Sequence, residues 1–288
     1  MSASTYDRGG QDRNRVSFRT GGHAGPLEPF IRAWQYRELI RAVVRRELTS
    51  RFRDSLLGWV WAVFAPLALL TGYTIVFSIA APIVTNGMST FDYAASIFCG
   101  LVIYNVFAEL IARGPLLLHE HAQFVKKSIF PSETIAWTAT IRAFVYGAIS
   151  FAVLLVVLLL IGHGLKWTLV LTPLIFIPFF LLMLGTVWIL MALGAFTKDV
   201  SHLVIAIAPM LMFVTPVFFT VQQLPERFRP FIRCNLVGNY VEMLRDLALN
   251  GRFPDLALFF ATIGVSYLVF YVGHRFFMRY KSVIVDVI

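Results

Sequence analysis

The sequence predicts an all-α integral membrane protein. The expected architecture is six transmembrane helices, preceded by an amphipathic interface helix, with short re-entrant helices between spans five and six. Three observations lead there. First, the 288 residues are 58% hydrophobic and only 14% charged, where a soluble domain carries about 25% charge. Second, apolar runs long enough for a bilayer, about 18 residues or more, recur along the chain. Third, Lys and Arg are distributed very unevenly between the connections that join these runs.

The expected spans are roughly 57–80, 93–112, 139–162, 169–195, 201–221 and 256–277. Each must be helical, because no other open structure satisfies its own backbone in lipid. With alternate crossings, nineteen Lys and Arg fall on the side of both termini and six on the other. Both termini are therefore expected in the cytoplasm, and the net charge of +9 reads as an orientation signal. A nucleic-acid partner is not expected.

Residues 1–28 are polar, contain Arg and Gly, show no cleavable signal peptide and are expected to be disordered. The next segment, 29–50, forms the interface helix. Tyr36, Ile40, Val43 and Val44 share one face, while Glu38, Arg41 and Arg45 occupy another. It either lies among cytoplasmic headgroups with its arginines toward anionic lipid, or packs on protein. Residues 51–288 make the six-span domain. Its largest outer connection, 222–255, is broken by Pro225 and Pro230. There Val237, Val241, Leu244 and Ala248 form a helical stripe that stops near Asn250-Gly251. Cys99 lies in an apolar run, far from Cys234, so no disulfide is expected.

Few residues suggest chemistry. No G-x-x-x-x-G-K-[ST] phosphate loop occurs, so any ATP-driven step needs another polypeptide. His119-Glu120-His121 lacks an obvious third metal ligand and reads as a solvated loop. Glu109 and Arg113 are spaced for a local ion pair. Asp199, after Lys198, suits either the N-cap of span five or a docking surface. No span carries a charge at its centre, which disfavours an ion-coupled carrier. A membrane glycosyl- or acyltransferase would need a cluster of Asp, Glu or His at one face, and none is evident.

Between spans two and three runs QFVKKSIFPSET, residues 123–134. On the charge count this elbow is cytoplasmic. Phe124 and Phe130 offer apolar area to a partner cleft, Lys126 and Lys127 would orient the contact, and Pro131 fixes the exit angle. The alternative is that the lysines only anchor the loop to headgroups. Among the 27 Phe, Tyr73, Phe77, Phe213, Phe218 and Phe219 are candidates to line a path past sugar C–H faces; for each one, ordinary packing is the competing role.

Four stretches carry a resemblance: RFRDSLLGWVWAVFAPL (51–67), the elbow itself, TPVFFTVQQLPERFRPFIRCN (215–235) and the tail YKSVIVDVI. In order and spacing they resemble the type-2 ABC exporter permeases that move lipid-linked polysaccharides such as O-antigen and teichoic acid. The chain departs from that pattern at Asn235-Leu236, where Asn-Pro is common, and at His121, where Asn is common. The resemblance implies a homodimeric pore in the bacterial inner membrane, above two copies of a nucleotide-binding subunit that hold ATP and Mg. It implies no catalytic residue, metal or cofactor in this chain, and it places ATPase coupling at the elbow with Lys198 and Asp199. A drug or lipid exporter permease of the same superfamily is the alternative.

Overall fold

The computed structural model describes residues 25, 27–51, 53, 55–84, 89–125, 130–162 and 164–287. Every regular element among them is helical. Two short helices, α1 (Glu28–Gln35) and α2 (Arg37–Ser50), come first. The long helices are α3 (Val60–Val84), α4 (Thr90–Arg113), α7 (Glu133–Leu160), α8 (Thr172–Phe196) and α12 (Leu256–Val287). The shorter ones are α5 (Leu117–Glu120), α6 (Ala122–Val125), α9 (Asp199–Val214), α10 (Arg229–Arg233) and α11 (Leu236–Arg245). Four of the helical stretches, containing α4, α7, α8 and α12, are long and apolar enough to cross a membrane; α9 and the Val60–Val76 part of α3 are apolar but shorter.

The centre is α4, whose residues from Tyr93 to Tyr104 are all buried. Around it pack α3, α7, α8, α9 and α11. The tightest pair is α8 with α12. Gly185 and Gly273 face each other there, so the two backbones meet directly, the close approach that small residues allow in membrane helices. Trp188, Phe270 and Phe277 fill the space on either side. By contrast, α7, α9 and α12 leave large apolar side chains such as Val156, Leu160, Ile205, Met210, Phe213, Phe260 and Leu268 exposed. That surface suits lipid, where exposure of hydrocarbon carries no penalty.

Several expected boundaries move, each for a physical reason. The fifth helix stops at Val214, short of 221, because Thr215 precedes Pro216 and is held extended at φ −81°, ψ 135°. The third long helix begins at Glu133, not 139, because that carboxylate is neutralised where it is buried. The last helix runs to Val287, beyond 277, and carries Lys281 to that same carboxylate. Asp199 is not a cap: it lies inside the first turn, and the Thr197 hydroxyl accepts from its backbone N–H at 3.2 Å. His119, Glu120 and His121 sit in helical turns, not in a solvated loop.

The interface segment is two helices with a break at Tyr36. Ile40 and Val44 are buried, Tyr36 and Val43 half-buried, so its apolar face packs on protein. In 222–255 the stripe Val237, Val241, Leu244 and Ala248 is buried. A π-turn over Asp246–Asn250 ends on Gly251 in the left-handed conformation at φ 64°, where glycine has no steric cost.

Candidate functional site

Side-chain bonds divide the molecule into a charged end and an opposite end. At the charged end Glu133, itself buried, accepts from Arg32 of α1 at 3.0 Å and from Lys281 of α12 at 2.6 Å. Nearby, Glu47 of α2 gathers Arg142 at 3.1 Å, His121 at 3.2 Å and Arg113 at 3.7 Å. The expected Glu109–Arg113 pair is replaced by longer-range partners: Glu109 accepts from Arg142 at 2.9 Å, and Arg113 pairs with Glu120 at 2.7 Å. His119 Nε2 lies 3.2 Å from the Gly194 carbonyl, which places α5 against the end of α8.

Both ring nitrogens of His121 face acceptors, the Leu117 carbonyl at 2.9 Å and the Glu47 carboxylate. Only the imidazolium can donate to both. The hydrogen bond to Glu47 accordingly raises the His121 pKa. Burial pushes Glu47 upward, but the bond from His121 and the charges of Arg113 and Arg46 outweigh it, and its pKa is lowered. The His121 contribution is complete below the ordinary imidazole pKa of 6.5 and is lost as pH rises through the raised folded value. The Glu47 contribution is complete above 4.5 and is lost in acid. Thermal unfolding in nanodiscs should therefore show Tm falling by about 2–4 °C on the alkaline side. His121→Gln should flatten that limb; a limb unchanged in the variant would remove His121 as its source.

The elbow lies beside this network. Phe124 is 37% exposed, stacks on Phe130 at 5.7 Å and carries Arg46 over its ring at 5.3 Å. Phe130 packs against the core and Pro131 is buried. The two rings border a cleft of about 290 Å3 against Leu39, Ala42 and Val43 of α2. The cleft is thus formed within this chain, and Phe124 is the ring displayed outward. Lys126 and Lys127 lie outside the described residues. Lys198 and Asp199 are exposed where α9 begins, at the same end.

At the opposite end, Tyr73 meets Phe218 at 5.8 Å and Phe213 meets Phe218 at 5.9 Å. Phe213 is exposed; Tyr73, Phe218 and Phe219 are half-buried. The side chain of Phe77 lies outside the described residues. Four expected path residues are therefore placed, and three of them form one cluster joining α3, α9 and the turn after it. Behind that turn lies Arg245, 3% exposed, one of the six cations of the outer connections. Its guanidinium donates to the carbonyls of Ser96 at 3.0 Å, Val217 at 2.5 Å and Phe219 at 2.9 Å, and to Glu242 at 2.8 Å. The Tyr93 hydroxyl donates to the Phe218 carbonyl at 2.7 Å. The signal was present in the sequence: Arg245 follows Val241 by four residues, on the edge of the buried stripe.

Charges gathered at the helix ends around an apolar body define a multi-pass helical membrane protein. Residues 38–249 match the family model described as ABC-2 type transporter, and the chain belongs to that family. As one of its permeases it is a transport subunit, not itself catalytic; it carries no cofactor, and ATP is handled by a partner ATPase. Three relatives are similar over most of their lengths. The O-antigen export system permease protein RfbA of Myxococcus xanthus is 22% identical over 85% of this chain and 93% of its own. The protein of that name in Klebsiella pneumoniae is 26% identical over 74% and 81%. The polysialic acid transport protein KpsM of Escherichia coli is 22% identical over 75% and 83%.

Proposed function

We propose that this chain is the transmembrane subunit of an ATP-driven exporter that moves a lipid-linked polysaccharide of O-antigen type across the bacterial inner membrane. The observation that carries the reading is the match to O-antigen export permeases over as much as 85% of the chain. Two copies of the chain would enclose the path between them, with α3 and α9, the incompletely covered helices beside α4, at the dimer interface. Two ATPase copies would lie below. The aromatic cluster of Tyr73, Phe213 and Phe218 would present flat apolar faces near the exit. Co-purification with the ATPase, and surface glycan analysis in a deletion strain, tests the whole. A strain whose surface glycan is unchanged would sink it.

The charged end is cytoplasmic in this reading, because the excess of Lys and Arg lies there. Cys234 is exposed at the opposite end, and Cys99 is buried. An impermeant maleimide should label Cys234 in right-side-out membranes, and Cys234→Ser should abolish the signal. Labelling of Cys234 confined to inverted membranes would reverse the topology.

Coupling is proposed at the elbow, with Lys198 and Asp199 beside it. Phe124 would enter a cleft of the ATPase, where burial of a full ring contributes about 2–3 kcal/mol. Lys126 and Lys127 would orient the contact, and Phe130 and Pro131 would brace it against α7. Phe124→Asp should lose most ATPase co-purification, by about tenfold or more, at unchanged protein level. Full retention of the complex and of export would remove the elbow as the coupling element.

A further inference from the structure

An open furrow of about 700 Å3 runs between α7 and α8. One wall is a stripe of aromatics at every seventh residue, Trp137, Phe144 and Phe151, and the facing wall includes Phe176 and Phe180. From Trp137 to Phe151 the helix rises about 21 Å. The one hydroxyl in the lining, on Thr172, is already donated to the Leu169 carbonyl, so the furrow offers a ligand almost entirely apolar contact.

Its charged-end mouth is closed by Phe30 of α1, whose ring lies 6.1 Å from Trp137. One helical turn beyond Phe30 stands Trp34, 71% exposed. The Arg37 guanidinium lies over its ring at 5.0 Å and donates to its backbone carbonyl at 3.2 Å. Arg37 is itself 46% exposed, and its ion pair, 3.5 Å to Glu38, is with a carboxylate 73% exposed. Arg41 and Arg45 continue the same face of α2, both exposed. Arg32, in contrast, is already bonded to Glu28 and Glu133. A long hydrocarbon slot thus ends at Phe30, one helical turn from a Trp–Arg pair.

We propose that this furrow and the Trp34–Arg37 pair form one binding site for an anionic phospholipid of the cytoplasmic leaflet. One acyl chain lies along Trp137 and Phe144, and the phosphate rests on Arg37. A leaflet is about half of a 30 Å hydrocarbon core, so an acyl chain of that depth fits within the furrow's length. The positive stripe of Arg37, Arg41 and Arg45 selects a negative headgroup over a zwitterionic one. Bound there, the lipid fastens α1 and α2 to the bundle through its own body. The inference rests on the reading that α7 and α8 cross the membrane with this end in the cytoplasm, and not on which substrate is exported.

The test is native mass spectrometry of the intact permease–ATPase complex, delipidated and then titrated with phosphatidylglycerol or phosphatidylcholine of identical chains. Phosphatidylglycerol should be retained about five- to tenfold more strongly. Arg37→Gln, a change at a half-exposed position, should reduce that preference several-fold while leaving chain-dependent binding. Ile177→Trp, which fills the furrow, should weaken both lipids. Equal retention of the two lipids by the native protein, or an undiminished preference in Arg37→Gln, overturns the proposal. Because no glycan enters the readout, a failure here is distinct from a failure of the export reading.

Discussion

Arg245→Met is expected to abolish export and to lower the unfolding temperature sharply. The side chain is buried and holds three carbonyls from two segments together with the Glu242 carboxylate. Removal takes a donor from all four acceptors at once. Breaking a buried pair from one side costs about 3–5 kcal/mol. Export should suffer beyond the loss of stability, because Val217 and Phe219 flank the ring of Phe218, and it is Arg245 that sets their backbone. Arg245→Lys restores the charge but not the planar fork that reaches carbonyls in divergent directions. It should recover protein level more than export. Normal export by Arg245→Met would show that the turn after α9 is held by other means.

The second large effect is expected at the α8–α12 contact. A Cβ added at Gly185 would lie 2.5 Å from the Phe270 Cα, and one at Gly273 would run into the Gly185 backbone. Neither obstacle is a flexible side-chain end that can turn aside. Gly273→Leu should therefore yield little folded protein, a cost of about 3 kcal/mol or more, at or above the upper range for overpacking. Gly264, on the same helix, has nothing within 4 Å of its would-be Cβ, and Gly264→Leu should insert and fold. Equal tolerance of the two substitutions would mean that the helices can separate at small cost.

These two sites also show what was legible in advance. The apolar runs, the stripe from Val237 to Ala248 and the stop at Gly251 are local patterns, and the folded chain follows them. The ion network is not local. Arg142 and Glu47 are 95 residues apart, Arg32 and Glu133 are 101 apart, and Lys281 and Glu133 are 148 apart. Periodicity within a helix contains nothing about such partners, and so the neighbouring Glu109 and Arg113 were matched with each other. Arg245 could be counted from the sequence but not assigned a role, because its three carbonyl partners lie in α4 and in the turn after α9. The early stop of α9 was written in Pro216, but the apolar run continues through it and masks the break.

Glu133 has a consequence for the order in which the protein is built. As synthesis proceeds, this carboxylate and Arg32 are both available long before Lys281 is made. Until α12 arrives, the start of α7 holds a buried anion with one cation instead of two, and the Gly185 backbone has no helix against it. The Lys281 bond can form only once α12 has joined α7. It works as a latch between the start of α7 and the far end of α12, with Arg32 of α1 as its second hold.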